Sequence, residues 1–573
     1  MKNRIYKVVA MFTVIGVMAS CDLDINQDPN NATSATLEQL LPSSQISIGA
    51  IFGGQQTDGS GSLNEDPSIF IQHYNYLDEG RFDIDGSDYD ANWRDIYIEG
   101  LNDMQRIIEI GTETEQWHHV GIAQIQKAMI FSIMVDLFGE LPYFDALSGQ
   151  ANLHPAFDDG QLIYDDLFIL VDAGIANLQQ TVAVGVVNDL FYGGDATRWI
   201  AAANTLKLKM HNQCRLVDPT TATTEINSLI AGGLITGTAN DLEFQYGSSN
   251  SPLNQHPLYV ENYTSGPLHY MSAYMVFEMN DSNDPRVPYY FFRQSLEDPT
   301  GDNVPCDDIT SAPAIPYGVV ARDCYYGNGF YSRIQGDDSG LPNDDTDATT
   351  FGVYPAGGVF DAVAIDPLGN PITSRTVNIN SSTGDGIQPL VTYFMSLFIQ
   401  AEAALTLGTT GDPRALLEQG IRAQVEKVVA FGAARGGWGL SSPILDNLTG
   451  LPIAQTVQER LDAYVTNVLA DYDAATNDEE RLQVVMTEYH KATYGIGWEA
   501  YNAYRRTGYP LFYNMNAKDG TTVTYPASAT DAAHSQLGAF PRRMLYSQRE
   551  LNTNTSAPES VVQQSVPVFW DNN

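Results

Sequence analysis

Residues 120–139, VGIAQIQKAMIFSIMVDLFG, can be buried only as a helix packed on several sides. Ile122, Ile125, Met129 and Ile133 recur at helical spacing and form one stripe, which Ile130, Met134 and Leu137 widen. Gly139 and Pro142 stop the run. Asp158 or Asp159 caps the next helix, where Ile163, Leu167, Leu170, Val171 and Leu178 repeat the pattern. Asp195 or Thr197 starts a third, with Trp199, Ala203, Leu206 and Met210 on one face. A further helix is predicted from about Trp93 to Ile110.

Helical pattern returns over residues 387–515, in PLVTYFMSLFIQAEAALTLG, ALLEQGIRAQVEKVVAFG, TVQERLDAYVTNVLADY and MTEYHKATYGIGWEAYNAYRRTGYP. Antiparallel helix pairs with short joins are expected, stacked as in helical-repeat proteins. No period of about 34 residues is visible, so this expectation rests on helix pairing. Residues 240–385 differ: Gly, Pro, Asp, Asn and Tyr rise, and helical period is mostly lost. A loop-rich section of that length inside a compact protein is usually functional. The last residues read as loop with one short element.

The chain has 573 residues, 70 acidic and 29 basic, for a net charge of −41. Such a surface repels nucleic acid and anionic headgroups. Of four cysteines, Cys306 and Cys324 lie in a Pro- and Gly-rich segment and suggest a loop-closing disulfide, whereas Cys214 reads as a buried free thiol on a helix.

At the N-terminus, Lys2, Arg4 and Lys7 precede an apolar run from Val8 to Val17, and Met18-Ala19-Ser20 leads into Cys21. The run is shorter than the about 20 residues a membrane-spanning helix needs, so it reads as a signal peptide. Cys21 resembles the lipidated cysteine of a lipoprotein lipobox. Anchoring by more than one acyl chain would be stable. Cleavage before Cys21 removes three positive charges and no negative ones, taking the net charge from −41 to −44. Residues 21–36 read as a flexible tether, and 37–573 as a single domain.

The ordered motifs INQDPNNAT, KAMIFSIMVDLFGELPYFDAL, HPAFDDGQLIYDDL, DLFYGGDATRWIAAANTLKLKM, TYFMSLFIQAEAAL, EYHKATYGIGWEAYNAYRRTGYP and FPRRMLYSQREL run from Ile25 to Leu551. In that order they resemble the SusD/RagB family of nutrient-binding outer-membrane lipoproteins, SusD-like subgroup. The resemblance implies an all-α scaffold of tetratricopeptide-like helical repeats with a loop-rich ligand-binding region. It implies a lipid-anchored, surface-exposed position on the outer membrane. The implied partner is a SusC-like TonB-dependent outer-membrane transporter, which receives an oligosaccharide. Peptide cargo, as in the RagB branch, and a non-binding helical scaffold for surface enzymes are the alternatives. Such proteins capture and do not cleave.

The residues agree with capture. There is no P-loop, HExxH or GxSxG. Sugars lie on Tyr or Trp faces while planar polar groups meet their hydroxyls. Two loop segments have that composition: Tyr74, Asn75, Tyr76, Asp78 and Arg81, and then Tyr325, Tyr326, Asn328, Phe330, Tyr331 and Arg333. With 31 tyrosines in the chain, packing of loops onto the body competes with ligand contact at each position. Trp438, in RGGWGLSS, is a further loop-borne candidate, whereas Trp93 fits the core. DIDGSDYD, with Asp83, Asp85, Ser87, Asp88 and Asp90, resembles a calcium loop, but Arg94 stands where an EF-hand has its glutamate. It reads as a solvated acidic loop, and no cofactor or metal is expected. Arg505 and Arg506 end a helix and are expected to cap carbonyls or pair with acids of a neighbouring helix.

Overall fold

The computed structural model describes residues 35–54, 62–76, 86–264, 266–297, 304–305, 324–332, 347–513, 522–523, 540–558 and 564–573. The proposed signal peptide, the lipidation site Cys21 and the tether up to residue 34 therefore lie outside the described residues.

Helices dominate. The first, α1 (Leu37–Gly53), opens with a reciprocal capping box between Thr36 and Gln39. After α2 (Glu65–Phe70), a helical run from Asp90 to Glu113 comprises α3 (Asp90–Arg94), a π-helical segment (Asp95–Leu101) and α4 (Asn102–Glu113). Then come α5 (Trp117–Phe138), α6 (Gly160–Leu178), α7 (Ala196–Gln213) and α8 (Pro219–Gly232). The expected caps are in place: Asp159 accepts from the amides of Gln161 and Leu162, and Asp195 from those of Thr197 and Arg198. Gly139, with φ +83°, ends α5.

By length and composition α5 could cross a bilayer, but 89% of its apolar window is buried in the fold. It is the central core helix, packed against α4 and α6. α5 and α6 meet at two glycines. A Cβ on Gly121 would stand 2.7 Å from the carbonyl oxygen of Gly174, so only hydrogen fits at this crossing. The joins before α6 and α7 are longer than predicted. Residues 139–159 form a small hairpin, β2 (Leu141–Pro142) on β3 (Phe157–Asp158). Residues 179–195 close on Asp189, which accepts from the amides of Phe191, Tyr192 and Gly194 and from the Trp199 indole.

The loop-rich section is not free of helix. It carries α9 (Pro257–Tyr263), α10 (Ala273–Asp281) and the single turn α11 (Val287–Tyr290). These are short and bounded by Pro, so no long periodic run marks them in the sequence. Its strands form two- and three-stranded ribbons: β1 (Tyr74–Tyr76) with β5 (His269–Met271), β4 (Leu242–Gln245) with β11 (Ile387–Val391), β6 (Phe291–Phe292) with β10 (Thr350–Phe351), and β7 (Val304–Pro305), β8 (Cys324–Gly327) and β9 (Phe330–Ser332) in one sheet.

The second helical block is α12 (Tyr393–Leu407), α13 (Pro413–Ala433), α14 (Val457–Ala474), α15 (Asp478–Ala492) and α16 (Gly497–Thr507), each packed on its predecessor. A hairpin of β12 (Pro443–Leu445) and β13 (Pro452–Thr456) separates α13 from α14. α12 also packs on α7, joining the blocks, and buried charge pins the junction. Arg506 donates both arms to Glu402 at 2.7 and 2.8 Å, Arg215 joins the same carboxylate at 3.3 Å, and Lys209 pairs with Glu499 at 2.8 Å. Arg505 donates to the carbonyls of Asp136 and Arg542, both at 2.6 Å. Both expected roles of these two arginines are thus present. The only helix near the end is α17 (Gln548–Thr553), among the described residues. Cys214 is a free thiol at the end of α7, and burial pushes its pKa up.

Candidate functional site

The two aromatic segments come together. β1 pairs with β5, with Asn75 opposite Tyr270, and the Tyr331 ring of β9 stands 6.3 Å from the Tyr270 ring. Among the described side chains, the two tyrosine rings, Tyr74 and Tyr331, are enclosed. Tyr74, Asn75, Phe330 and Tyr331 are all buried, so in this structure these four hold loops onto the body. Tyr74 packs edge-on against His269 and Phe351, each at 5.1 Å. The side chains of Tyr76, Tyr325 and Tyr326, and all of Asp78, Arg81 and Arg333, lie outside the described residues, as does Cys306 with its proposed bridge to Cys324.

An accessible cavity of about 340 Å³ opens beside this face. Trp438 lines it, half-buried, together with Asn280, Asn328, Phe330, Asn447 and Arg460. Trp438 follows the end of α13 on a glycine-rich turn. Its ring rests edge-on against Phe360 at 5.1 Å, and its carbonyl accepts from the Tyr289 hydroxyl at 2.7 Å. One side of the ring is thus braced while the residue still borders the cavity.

Arg293 gathers the wall. Its Nε donates to Asp361 Oδ2 at 2.7 Å, and its Nη1 to the carbonyls of Asn328 at 2.7 Å and Asn447 at 2.9 Å. Its guanidinium lies 4.9 Å from the Phe330 ring centre. Arg375 satisfies the other oxygen of Asp361 at 2.6 Å. A single buried cation thereby fixes three loops that are remote in sequence, and Asn328 and Asn447 both line the opening. Hydrogen bonds from the Thr449 amide and hydroxyl, and from the Leu448 amide, lower the pKa of Asp446.

Of the residues picked out in the sequence, Asn328, Phe330 and Trp438 meet at this cavity. Arg293, Asp361, Asn447 and Arg460 escaped sequence reasoning. The stretches DPRVPYYFFRQ and YPAGGVFD mark Arg293 and Asp361 as loop residues, but nothing local to either shows that they meet.

A larger cavity of about 590 Å³ lies between the π-helical segment and residues 146–153. It is more apolar, with Tyr97, Ile98, Leu147 and Leu153 on its walls. Trp93 is buried at its base, 5.4 Å from the Phe138 ring, as its core assignment predicts. Among the described residues, no group of three or more His, Cys, Asp or Glu side chains could hold a metal ion. Of the suspected calcium loop, Asp83 and Asp85 lie outside the described residues, and Asp90 instead accepts from the Ser547 hydroxyl and the Arg549 amide.

A family model described as "Starch-binding associating with outer membrane" matches residues 29–314, and one described as "Susd and RagB outer membrane lipoprotein" matches residues 379–565. No curated protein matches. Among solved structures, a chitin-binding protein superposes with a TM-score of 0.63 at 19% identity, covering 93% of this chain and 100% of its own. A SusD-like protein from Bacteroides thetaiotaomicron VPI-5482 gives 0.60 at 19% identity, covering 91% and 94%. A chitin-binding SusD homolog from Flavobacterium johnsoniae gives 0.60 at 19% identity, covering 93% and 99%. At these identities the likeness establishes the helical fold.

Proposed function

The chain belongs to the SusD/RagB family of outer-membrane lipoproteins, and from that premise we propose that it captures a nutrient glycan at the cell surface and passes it to a SusC-like TonB-dependent transporter. It binds and does not cleave. Cys21 carries the lipid that holds it to the membrane. The observation that carries the reading is the cavity at Trp438. There Trp438 borders an opening that Asn280, Asn328 and Asn447 also line. That is the combination sugars require, an apolar face for C–H groups and fixed polar groups for hydroxyls. Two structural neighbours, a chitin-binding protein and a chitin-binding SusD homolog, support a glycan over a peptide.

The test is calorimetric titration of the chain from residue 22 with oligosaccharides, beginning with chito-oligosaccharides, and with peptide mixtures. A saccharide that binds the parent chain and binds Trp438→Ala about tenfold more weakly supports the reading. Binding of peptides alone overturns it in favour of peptide capture.

A further inference from the structure

Arginines around the Trp438 cavity are committed, with one exception. Arg293 and Arg375 share Asp361, and Arg286 is held by Asp284. Arg460, half-buried and lining the same cavity, makes a single marginal hydrogen bond, from Nε to Gln455 Oε1 at 3.4 Å. Beyond that side-chain amide, no carboxylate, backbone carbonyl or ring partners it among the described residues. Burial lowers its pKa. Its placement is costly in a second way. It sits in the first turns of α14, the 18-residue helix Val457–Ala474, at the end where the helix dipole favours anions over cations. A chain with 70 acidic residues and 29 basic ones has no shortage of acids to set beside it. Asp446, on the same cavity, does not serve, because its carboxylate is held by its own turn.

We propose that this cavity receives an anionic sugar unit, carboxylated or sulfated, whose oxyanion pairs with Arg460; the proposal rests on the glycan reading above. A guanidinium fork offers parallel donors that match two oxygens of either group. Trp438 and the surrounding amides then take the neutral part of the sugar. The net charge of −41 does not oppose this at close range, since exposed charges are screened beyond roughly 8 Å at physiological ionic strength.

The experiment titrates the chain from residue 22 with oligogalacturonate, which carries carboxylates alone, and with carrageenan oligosaccharides, which carry sulfates alone. Methyl-esterified and desulfated counterparts serve as neutral controls. The expected result is binding of one anionic probe that falls about tenfold or more on neutralising the probe, on Arg460→Gln and at high salt, with Arg460→Lys keeping part of it. The salt dependence of the parent chain stands even if the variants fold poorly, which thermal melts detect. Which probe binds tells carboxylate from sulfate. A neutral oligosaccharide that binds as well as its anionic form, undiminished in Arg460→Gln, overturns the charge selectivity and leaves glycan capture intact. Failure of every saccharide, anionic or neutral, overturns both.

Discussion

The indole Nε1 of Trp570 donates to Asp136 Oδ1 at 2.9 Å, so the last residues of the chain are tied to the central helix α5. Tyr164 donates to the same oxygen at 2.6 Å, and Asn502 to Oδ2 at 2.9 Å. Arg505 stacks 4.6 Å from the Trp570 ring. One buried carboxylate thus joins α5, α6, α16 and the C-terminal segment. Burial pushes its pKa up to about 6, with Lys209, Tyr164 and Arg505 opposing the rise.

Trp570→Phe keeps most of the ring volume and removes one donor from that carboxylate. The expected cost is about 1–3 kcal/mol, the range for leaving a buried charged acceptor short of a partner. Urea unfolding of parent and variant measures it. An unchanged midpoint would show that the C-terminal segment contributes nothing to the stability of the body.

Glu402→Gln strikes the junction between the two helical blocks. Arg506 and Arg215 both lose their acid in a fully buried place. Stability should fall by about 3–5 kcal/mol, since two buried guanidinium groups are left uncompensated. Denaturant unfolding reads this directly, and a loss under about 1 kcal/mol would mean that water reaches the arginines.

Asp66 gives a pH dependence of defined sign. Burial, and then the neighbouring Glu65, raise its carboxyl to about 7, against the opposing hydrogen bond from the Tyr89 hydroxyl at 2.5 Å. The unfolded chain releases this proton near the ordinary aspartate value of about 3.9, so between there and about 7 the folded state binds more protons. The group's contribution is therefore fully favourable below about 4 and lost as pH rises through about 7. Asp66→Asn should remove that slope. Stability measured at steps from pH 5 to pH 8 should fall for the parent by about 2–3 kcal/mol more than for the variant. Parallel profiles would contradict the assignment.

Cys21→Ala should leave the protein unlipidated. Fractionation of the cells should then move it from the membrane to the soluble fraction, because the proposed acyl chains on Cys21 would supply the anchoring. Retention of the variant in the membrane would refute the lipid anchor.

The positions and ends of the long periodic helices were determined by the sequence itself. Asp159, Asp195 and Gly139 act within a few residues of where they stand, through caps and a left-handed turn. The breadth of the apolar stripe in α5 likewise specified a helix enclosed on all sides. Which aromatics remain accessible was decided only by the tertiary structure. Tyr74 and Tyr331 have the composition of a sugar platform but are enclosed once β1 and β9 flank β5. Trp438, on a turn of the same character, keeps contact with a cavity because Arg293 holds Asn328, Asp361 and Asn447 around it. The reason is range. Caps and periodicity are satisfied by backbone groups a few positions away, whereas burial and charge pairing here depend on segments tens to hundreds of residues apart.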